Sequence, residues 1–375
     1  MPSIAIRRPQ SRGSFPHCSA SQRCCRGWSL CAFCENIRRI HISGRDMLTG
    51  CKYLVTGAGG FIGSHLVEAL VRAGAEVTAM IKYGSSASWG NLDFISDDVK
   101  GQFRVIAGNV DDGDFVFHAM EGMDVVCHLA ALIAIPYSYV APRSYVRTNV
   151  EGTLNVVEAA RRLSVGRVVH TSTSEVYGTA MRVPIDEAHP LQGQSPYSAS
   201  KIGADKIAES YYRSFNTGVV TLRPFNTFGP RQSARAFIPT IIAQAATQDE
   251  IRLGSLTPER DMTFVTDTVA GFIAASTTPG IEGETINLGT GSTYTIGHFA
   301  ERILSLMGVS HKPIVQEAAR MRPEKSEVLK LVSDNSRAAQ LMGWTPRVSL
   351  DDGLMQSIEF VKKNIHLYRP NVYTV

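Results

Sequence analysis

The chain has 375 residues, of which 44% are hydrophobic, so it can bury a large core and form two domains or one domain with a substantial appendage. No apolar run approaches the ~20 residues that a membrane-spanning helix needs, which predicts a soluble, cytoplasmic protein. The formal net charge is +4, but residues 1–46 hold eight arginines against two acids, or +6, so the remainder carries −2. Nothing after residue 46 therefore indicates a nucleic-acid or anionic-membrane partner.

The leading segment differs from the rest because it also holds five of the seven cysteines. The other two, Cys51 and Cys127, fall in predicted buried strands and indicate a reduced, intracellular protein. Three interpretations of the segment stay open: a zinc site around Cys31-Ala-Phe-Cys34, an organelle transit peptide, and a disordered or mis-started extension ahead of Met47. We favour the extension and expect no metal, because no second well-spaced cysteine pair accompanies the first.

From Cys51 onward, short β-branched runs alternate with longer amphipathic runs. The short runs predict strands over 52–56, 76–81, 103–107, 125–129, 167–171 and 219–223. The longer runs predict helices over 61–72, 112–120, 142–163 and 196–215. This alternation is typical of an α/β fold with a Rossmann-like, doubly wound parallel sheet that is covered on both faces.

Past residue 223 the alternation loosens, and a segment rich in proline and glycine over 224–239 precedes a helix near 240–247. A strand near 285–288 and helices near 296–307, 336–341 and 350–362 complete a smaller mixed α/β lobe. We therefore predict a Rossmann domain over 47–223 with a strand near 283–290, and a C-terminal lobe over 224–282 and 291–375.

A glycine-rich turn, Thr56-Gly-Ala-Gly-Gly-Phe-Ile-Gly63, joins the first predicted strand to the first predicted helix. Glycines let the backbone turn sharply and approach a pyrophosphate, and the helix N-terminus offers free amides and a partial positive charge. The spacing is Gly57-x-x-Gly60-x-x-Gly63 rather than GxGxxG. Because a strand precedes it and a helix follows it, the turn predicts a dinucleotide site.

The end of the second strand bears on the choice of dinucleotide. An acidic residue that binds the ribose hydroxyls is expected ~20 residues after the glycines, but the chain reads Met80-Ile-Lys-Tyr-Gly-Ser-Ser86 there. Lys82, Ser85 and Ser86 could instead bind a 2′-phosphate. On these residues alone, NADP is slightly favoured over NAD.

The stretch from His170 to Lys201 is predicted to carry the chemistry. An apolar strand runs into a hydroxyl-rich turn with one carboxylate, Thr171-Ser-Thr-Ser-Glu175, and Tyr197 stands four residues before Lys201. On a helix, this spacing puts the phenol and the ammonium on one face. A lysine beside a tyrosine favours the phenolate, so we expect the pKa of Tyr197 to be lowered toward the range useful to a base.

The glycine-rich turn, the hydroxyl-rich turn and the Tyr197 and Lys201 pair follow one another in this order. With these features, the chain resembles the extended short-chain dehydrogenase/reductases of the NAD-dependent epimerase/dehydratase family. Further motifs that carry the resemblance are His128-Leu-Ala-Ala131, Asn149 in Thr-Asn-Val-Glu-Gly-Thr, Arg223-Pro-Phe-Asn226, Gly229-Pro-Arg231 and Asn287-Leu-Gly-Thr-Gly291. Narrower motifs resemble the UDP-N-acetylglucosamine 4,6-dehydratases of legionaminic acid pathways: Ile133-Ala-Ile-Pro-Tyr-Ser-Tyr139, Thr173-Ser-Glu175, Gln232-Ser-Ala-Arg235 and Arg260-Asp261.

The resemblance implies a tightly bound NAD, which we therefore expect in preference to NADP. It also implies a homodimer through the helices of Asn149 and Tyr197. The residues expected to contact the cofactor are Gly57, Gly60, Phe61, Ile62, Gly63, Lys82, Asn109, Val110, Leu129, Ala130, Ala131, Asn149, Tyr197 and Lys201. Asn109 stands where the family usually has an aspartate that contacts the adenine.

The resemblance also implies a mechanism. Tyr197, assisted by Lys201 and Thr173, takes the proton of the sugar C4 hydroxyl while hydride passes to the nicotinamide. The 4-ketone acidifies the C5 proton, Glu175 removes it, water leaves from C6 and the hydride returns there. The acid for the leaving hydroxyl stays open among Glu175, a water relay and Ser174, because the dTDP-glucose enzymes have aspartate at the position of Ser174.

The implied substrate is a nucleotide sugar of the UDP-N-acetylglucosamine type, and the C-terminal lobe is expected to bind it. Its diphosphate would be neutralised by Asn226, Arg231, Arg260 and Arg322, while Pro136 and Tyr137 would line the sugar pocket. A UDP-sugar 4-epimerase is the alternative, since it needs only the tyrosine and lysine. A non-catalytic dinucleotide-sensing regulator is a more remote one.

Overall fold

The computed structural model of the chain describes residues 48–320 and 328–369. The cysteine-rich leading segment, with its three interpretations, lies outside these ranges, and so does Arg322. Within them, no helix combines the length and the apolar character needed to cross a membrane.

Strands and helices alternate through the first two thirds of the chain. In chain order the strands are β1 (Lys52–Thr56), β2 (Glu76–Ile81), β3 (Phe103–Ala107), β4 (Val125–His128), β5 (Arg167–Thr171), β6 (Val219–Pro224), β7 (Asn226–Phe228), β8 (Ile251–Leu253), β9 (Glu259–Arg260), β10 (Met262–Phe264), β11 (Thr285–Leu288), β12 (Tyr294–Thr295), β13 (Ile314–Gln316) and β14 (Lys330–Leu331). The helices are α1 (Phe61–Arg72), α2 (Gly113–Met120), α3 (Ile135–Val140), α4 (Pro142–Tyr145), α5 (Gly152–Leu163), α6 (Pro196–Phe215), α7 (Phe237–Thr247), α8 (Val265–Thr277), α9 (Ile296–Leu306), α10 (Ser336–Met342) and α11 (Leu350–Lys363).

Seven strands form a sheet in the order β11-β6-β5-β4-β1-β2-β3, and every neighbouring pair is parallel. This arrangement confirms the predicted doubly wound α/β fold. The order of the strands reverses between β1 and β4, and open sheets of this kind bind ligands beyond the carboxyl ends of the strands at such a point. The glycine turn follows β1 there, so the topology alone directs attention to this edge.

Strand β1 shows how the two faces of the sheet are covered. Tyr53 and Val55 belong to the apolar cluster that includes α1 and α8, whereas Leu54 belongs to the cluster of α2, α5 and α6. Successive side chains of a strand point to opposite faces, and here both faces are apolar. Full burial of each such side chain stabilises the fold by roughly 1.5–3 kcal/mol.

Helix α8 was not predicted, and it lies in the segment that the sequence assigned to the C-terminal lobe. It packs on the sheet: the Tyr53 hydroxyl is 3.1 Å from Ser276 Oγ, and Arg167 Nη1 donates to the Ala275 carbonyl at 2.7 Å. Its exposed and partly exposed positions, such as Thr266, Ala270 and Ile273, are uncharged, so the sequence lacks the strong amphipathic contrast that marks a surface helix. The C-terminal lobe shares one continuous apolar cluster with this side of the sheet.

The single helix predicted over 142–163 is divided. Helix α4 and helix α5 are joined by a π-helical segment, Val146–Glu151, and α3 precedes them. Such π segments are uncommon and are often found at functional sites. Asn149 lies in this one.

Candidate active site

The glycine turn fits closely between β1, β4 and α1. Gly57 has a φ of +70°, and a Cβ on it would lie 2.8 Å from the backbone nitrogen of Ala130. A Cβ on Gly63 would lie 2.3 Å from the Gly57 carbonyl oxygen, so α1 approaches the turn only because glycine stands there. Gly60, the N-cap of α1, has no side chain to occupy the first amides of the helix. These residues fit the pyrophosphate of a dinucleotide.

The neighbouring end of β4 is held by Thr56. Its Oγ1 accepts hydrogen bonds from the backbone of Leu129 at 3.2 Å and Ala130 at 3.1 Å, and it lies 2.9 Å from His128 Nδ1. The segment expected to contact the cofactor after β4 is therefore fixed to the end of β1. Both segments border the crevice where the strand order reverses.

Replacing Gly57 with alanine is expected to prevent dinucleotide binding, because the new Cβ would overlap the backbone at Ala130. The measurement is the amount of dinucleotide released when purified protein is denatured. Gly50→Ala is the matched control, since Gly50 has a φ of +79° but no atom of the described residues lies within 4 Å of an added Cβ. Equal losses in both variants would show that backbone strain alone is responsible.

The other predicted cofactor residues lie at the same edge of the sheet. Lys82 follows β2 and is exposed, Asn109 follows β3 and is exposed, and Val110 is buried. Asn149 is buried and uses its whole amide: Nδ2 donates to the Leu132 carbonyl at 3.0 Å and to Ser200 Oγ at 2.9 Å, and Oδ1 accepts from the Leu132 amide at 2.8 Å. It thereby ties the segment after β4 to α6.

Helix α6 begins at a capping box that positions Tyr197 in the first turn. The N-cap Ser195 accepts a hydrogen bond from the Ser198 amide, the Ser198 side chain bonds back to the Ser195 amide, and Pro196 is the first helical residue. Tyr197 and Lys201 are both buried on one face, as their spacing predicted.

Burial governs the proton affinities of this pair. The Lys201 Nζ donates to the Thr171 carbonyl at 2.6 Å, and burial lowers the pKa of Lys201 to about 8 against the opposing charge of Asp205. Burial also raises the pKa of Tyr197 above its ordinary value; a hydrogen bond with Thr173 lowers it and the charge of Glu175 raises it. The expectation of a lowered tyrosine pKa is therefore wrong for this arrangement, because desolvation outweighs the hydrogen bond.

The hydroxyl-rich turn meets the same face of α6. It forms a short 3-10 helix, Ser174–Tyr177, whose N-cap Thr173 accepts a hydrogen bond from the Glu175 amide at 3.2 Å. Ser174 is buried, and Glu175 is partly buried close to Tyr197. The structure thus brings Thr173, Glu175, Tyr197 and Lys201 together.

Three tyrosine rings line one side of this group. Tyr145 is fully buried between Tyr137 and Tyr197, with 6.2 Å between ring centroids on each side. Its hydroxyl donates to the Ala134 carbonyl at 2.5 Å. Pro136 and Tyr137 lie on α3, and Tyr137 is 42% exposed. Tyr145 was not predicted as a site residue, because no local motif in the sequence marks it.

Asn226 and Arg260, two of the predicted diphosphate ligands, lie near each other in the structure. Asn226 is the first residue of β7 and pairs with Met262 of β10, and Met262 follows Arg260 by two residues. The Asn226 Nδ2 is buried without a hydrogen-bond partner among the described residues, as expected of a donor that awaits a ligand. Arg260 is buried and donates from Nη1 to the Glu259 carbonyl at 3.0 Å.

Arg231, the third predicted ligand, is buried against α1. Its Nη2 donates to Glu68 Oε2 at 2.6 Å and to the Phe94 carbonyl at 3.2 Å, while its own carbonyl accepts from Asn91 Nδ2 at 3.0 Å. Burial alone would raise the pKa of Glu68, but the hydrogen bond and charge of Arg231 lower it overall. Arg231 therefore ties the segment after β7 to the cofactor side of the sheet, and its role toward a diphosphate stays a prediction.

Two variants separate these roles of Arg231. Glu68→Gln leaves a buried guanidinium without its carboxylate and should lower the free energy of unfolding by about 3 kcal/mol. Arg231→Met should lower it comparably and, since Arg231 is a predicted diphosphate ligand, it alone should raise the KM for a nucleotide sugar. The measurements are urea denaturation and steady-state kinetics. An unchanged KM in Arg231→Met would contradict its predicted role as a diphosphate ligand.

The sequence of the chain is similar to those of known proteins over most of its length. A sequence profile of the GDP-mannose 4,6 dehydratase family matches residues 54–357. The chain is 32% identical to a dTDP-glucose 4,6-dehydratase of Actinoplanes sp., over 84% of this chain and 98% of that protein. It is 31% identical to a UDP-glucose 4-epimerase of Mycolicibacterium smegmatis, over 82% of this chain and 98% of that protein.

A solved structure is similar in fold as well. The dTDP-glucose 4,6-dehydratase DesIV of Streptomyces venezuelae, solved with NAD and TYD bound, has a TM-score of 0.78 and 28% identity, and the match covers 85% of this chain and 99% of that one. The parallel sheet, the glycine turn and the Tyr197 and Lys201 pair define an extended short-chain dehydrogenase/reductase. Within that class, the chain belongs to the GDP-mannose 4,6 dehydratase family, together with nucleotide-sugar dehydratases and epimerases.

Proposed function

We propose that the protein is a nucleotide-sugar 4,6-dehydratase that converts a substrate of the UDP-N-acetylglucosamine type to its 4-keto-6-deoxy sugar. The observation that carries the proposal is that one turn meets the catalytic pair: Thr173 bonds Tyr197, Glu175 lies close enough for its charge to act on Tyr197, and Lys201 bonds the Thr171 carbonyl. The hydroxyl and ammonium pair serves oxidation at C4, and the carboxylate beside it serves proton removal at C5. Water loss needs both, whereas epimerisation at C4 needs only the first.

The cofactor of this proposal is NAD, held by the glycine turn and by the segments after β2, β3 and β4. When bound, the oxidised nicotinamide supplies a hydride acceptor and a positive charge. We prefer NAD to NADP because the similar DesIV structure holds NAD. Lys82, Ser85 and Ser86, all exposed, are the residues that favour a 2′-phosphate.

Tyr197 is the base for the C4 hydroxyl. Its pKa is raised by burial, so the phenol must be helped to lose its own proton before the phenolate can accept the substrate proton. The hydrogen bond with Thr173 and the nearby ammonium of Lys201 both favour the phenolate. Lys201 is anchored by the Thr171 carbonyl, which keeps its charge near the phenol as the proton moves.

Glu175 is the base for the C5 proton. Once C4 is a ketone, the C5 carbanion is delocalised as an enolate, and the carboxylate of Glu175, close to Tyr197, would serve the adjacent ring carbon. The buried Ser174 is a poor acid for the departing C6 hydroxyl. Glu175, once it has taken the C5 proton, and a water relay are therefore the preferred acids.

A UDP-sugar 4-epimerase is the second candidate, because the Mycolicibacterium smegmatis relative carries that name at similar identity. In either case we propose a homodimer. Exposed apolar side chains at the helices of Asn149 and Tyr197 support it: Val146 is 49% exposed, Leu154 38% and Phe215 54%.

Incubation with a panel of UDP, GDP and dTDP sugars in heavy water tests the function. A dehydratase gives a 4-keto-6-deoxy product that carries deuterium at C5, detected by mass spectrometry and NMR. Recovery of only the C4 epimer would contradict the proposal and support the epimerase. The sugar nucleotide with the highest kcat/KM identifies the substrate class.

A further inference from the structure

Three residues on one face of α6 meet three consecutive residues of the β5 end. Lys201 Nζ bonds the Thr171 carbonyl, Asp205 Oδ2 accepts from Ser172 Oγ at 2.8 Å, and Tyr197 bonds the Thr173 side chain. The helical residues recur every four positions, so they line one stripe of the helix. The proposed function uses the first and third contacts and leaves Asp205 without a role.

Asp205 is buried and uses both carboxylate oxygens. Oδ1 accepts from His170 Nε2 at 3.1 Å, and Oδ2 accepts from Ser172 and from Arg223, at 3.2 Å from Nε and 3.0 Å from Nη2. Burial alone would raise the pKa of Asp205, but the hydrogen bond from His170 and the charge of Arg223 lower it to about 2. Asp205 is therefore a carboxylate throughout the working range of pH.

The same network continues to the opposite side of the turn. Arg223 Nη1 donates to the Tyr177 hydroxyl at 2.9 Å, and that hydroxyl donates to Asn287 Oδ1 at 2.7 Å. Tyr177 ends the 3-10 helix that contains Glu175. Asp205 thus holds the turn directly through Ser172, at its start, and indirectly through Arg223 and Tyr177, at its end.

We propose that Asp205 is a positioning residue that holds the 171–177 turn in register with α6, so that Glu175 and Tyr197 face the same substrate. The role in turnover rests on the proposed function, but the positioning itself does not. Ser172 and Arg223 transmit it, since each joins Asp205 to one end of the turn. Removing the carboxylate should loosen the turn without removing any group that handles a proton.

The test compares Asp205→Asn with Asp267→Asn in the full-length protein. Asp267 is a matched control, because it is a buried aspartate at the start of α8 that accepts from the amides of Arg347 at 3.0 Å and Val348 at 2.9 Å, away from the turn. Amide hydrogen exchange is measured by mass spectrometry over peptides that span 171–177. Asp205→Asn should speed exchange there at least about tenfold, and Asp267→Asn should not.

Kinetics give a second measurement. Asp205→Asn should lower kcat about tenfold or more with little change in KM, because binding groups are intact and alignment is lost. Its pH profile should also move to lower pH. Lys201 lies on the same helical face as Tyr197 and Asp205, and its charge acts on His170 of β5 and His128 of β4. The charge of Asp205 raises the pKa of both Lys201 and Tyr197, so its removal should lower both pKa values.

The outcomes separate the two proposals. Unchanged exchange over 171–177 in Asp205→Asn overturns the positioning role whether or not a substrate is known. Faster exchange with normal kcat and an unmoved pH profile overturns its role in turnover. Absence of turnover by the wild-type protein on every nucleotide sugar contradicts the proposed function and leaves the exchange result to decide the positioning.

Discussion

Replacing Tyr197 with phenylalanine is expected to slow C4 oxidation by about 10²–10⁴-fold, the contribution typical of a general base. The hydroxyl is the group that bonds Thr173, whereas the ring packs edge-on against Tyr145 and would be kept. The variant should therefore fold and bind dinucleotide. The measurement is the near-ultraviolet absorbance of reduced nicotinamide after rapid mixing with nucleotide sugar.

Tyr53→Phe is the control for this prediction. Tyr53 is also fully buried and hydrogen-bonded, but its partner is Ser276 on α8, away from the turn. Loss of that hydrogen bond should cost about 1 kcal/mol of stability and leave turnover near normal. Retention of more than about a tenth of the wild-type oxidation rate by Tyr197→Phe would mean that another group takes the C4 proton.

Replacing Glu175 with glutamine is expected to stop water loss while C4 oxidation continues. Product formation should fall by about 10²-fold or more, deuterium should not enter C5, and reduced nicotinamide should accumulate on the protein. The charge of Glu175 raises the pKa of Tyr197, so its removal lowers that pKa and moves the acidic limb of C4 oxidation to lower pH. The oxidation step should thus be no slower than in the wild type near neutral pH.

Glu158→Gln serves as its control. Glu158 is a glutamate of α5 that pairs with Arg161 at 2.7 Å, and its side chain is 35% exposed. This exposed pair contributes little to stability, and it lies on no part of the turn. If Glu175→Gln forms 4-keto-6-deoxy product at a near-normal rate, the C5 base is elsewhere and the dehydratase proposal loses the residue that distinguishes it from an epimerase.

These predictions depend on features that differ in how far the sequence could reveal them. The strands of the sheet and the helix of Tyr197 were predicted to within one or two residues, because each is specified by local periodicity and by its own caps, such as Ser195 and Pro196. The glycine turn was also evident from the sequence. The turn needs a residue with a positive φ directly after β1, and Gly57 adopts one. This requirement is local to the turn.

Features that depend on distant partners could not be predicted. Arg231 was predicted as a diphosphate ligand, but its ion pair with Glu68, which lies 163 residues earlier in the chain, could not be predicted. Helix α8 has a weak amphipathic period because its exposed and partly exposed positions, such as Thr266, Ala270 and Ile273, carry no charge. Asp205 offered one local signal, its spacing of four residues from Lys201, but its role depends on Ser172 and Arg223.

By itself, the sequence determined the fold class, the dinucleotide turn and the placement of Tyr197 and Lys201 on one helical face. These follow from backbone geometry over a few residues. Only the tertiary structure decided that burial raises the pKa of Tyr197, that Arg231 is held by an ion pair, and that Asp205 joins the turn of Glu175 to that helix. Desolvation and charge pairing depend on what surrounds a side chain, and here those surroundings come from distant strands and helices.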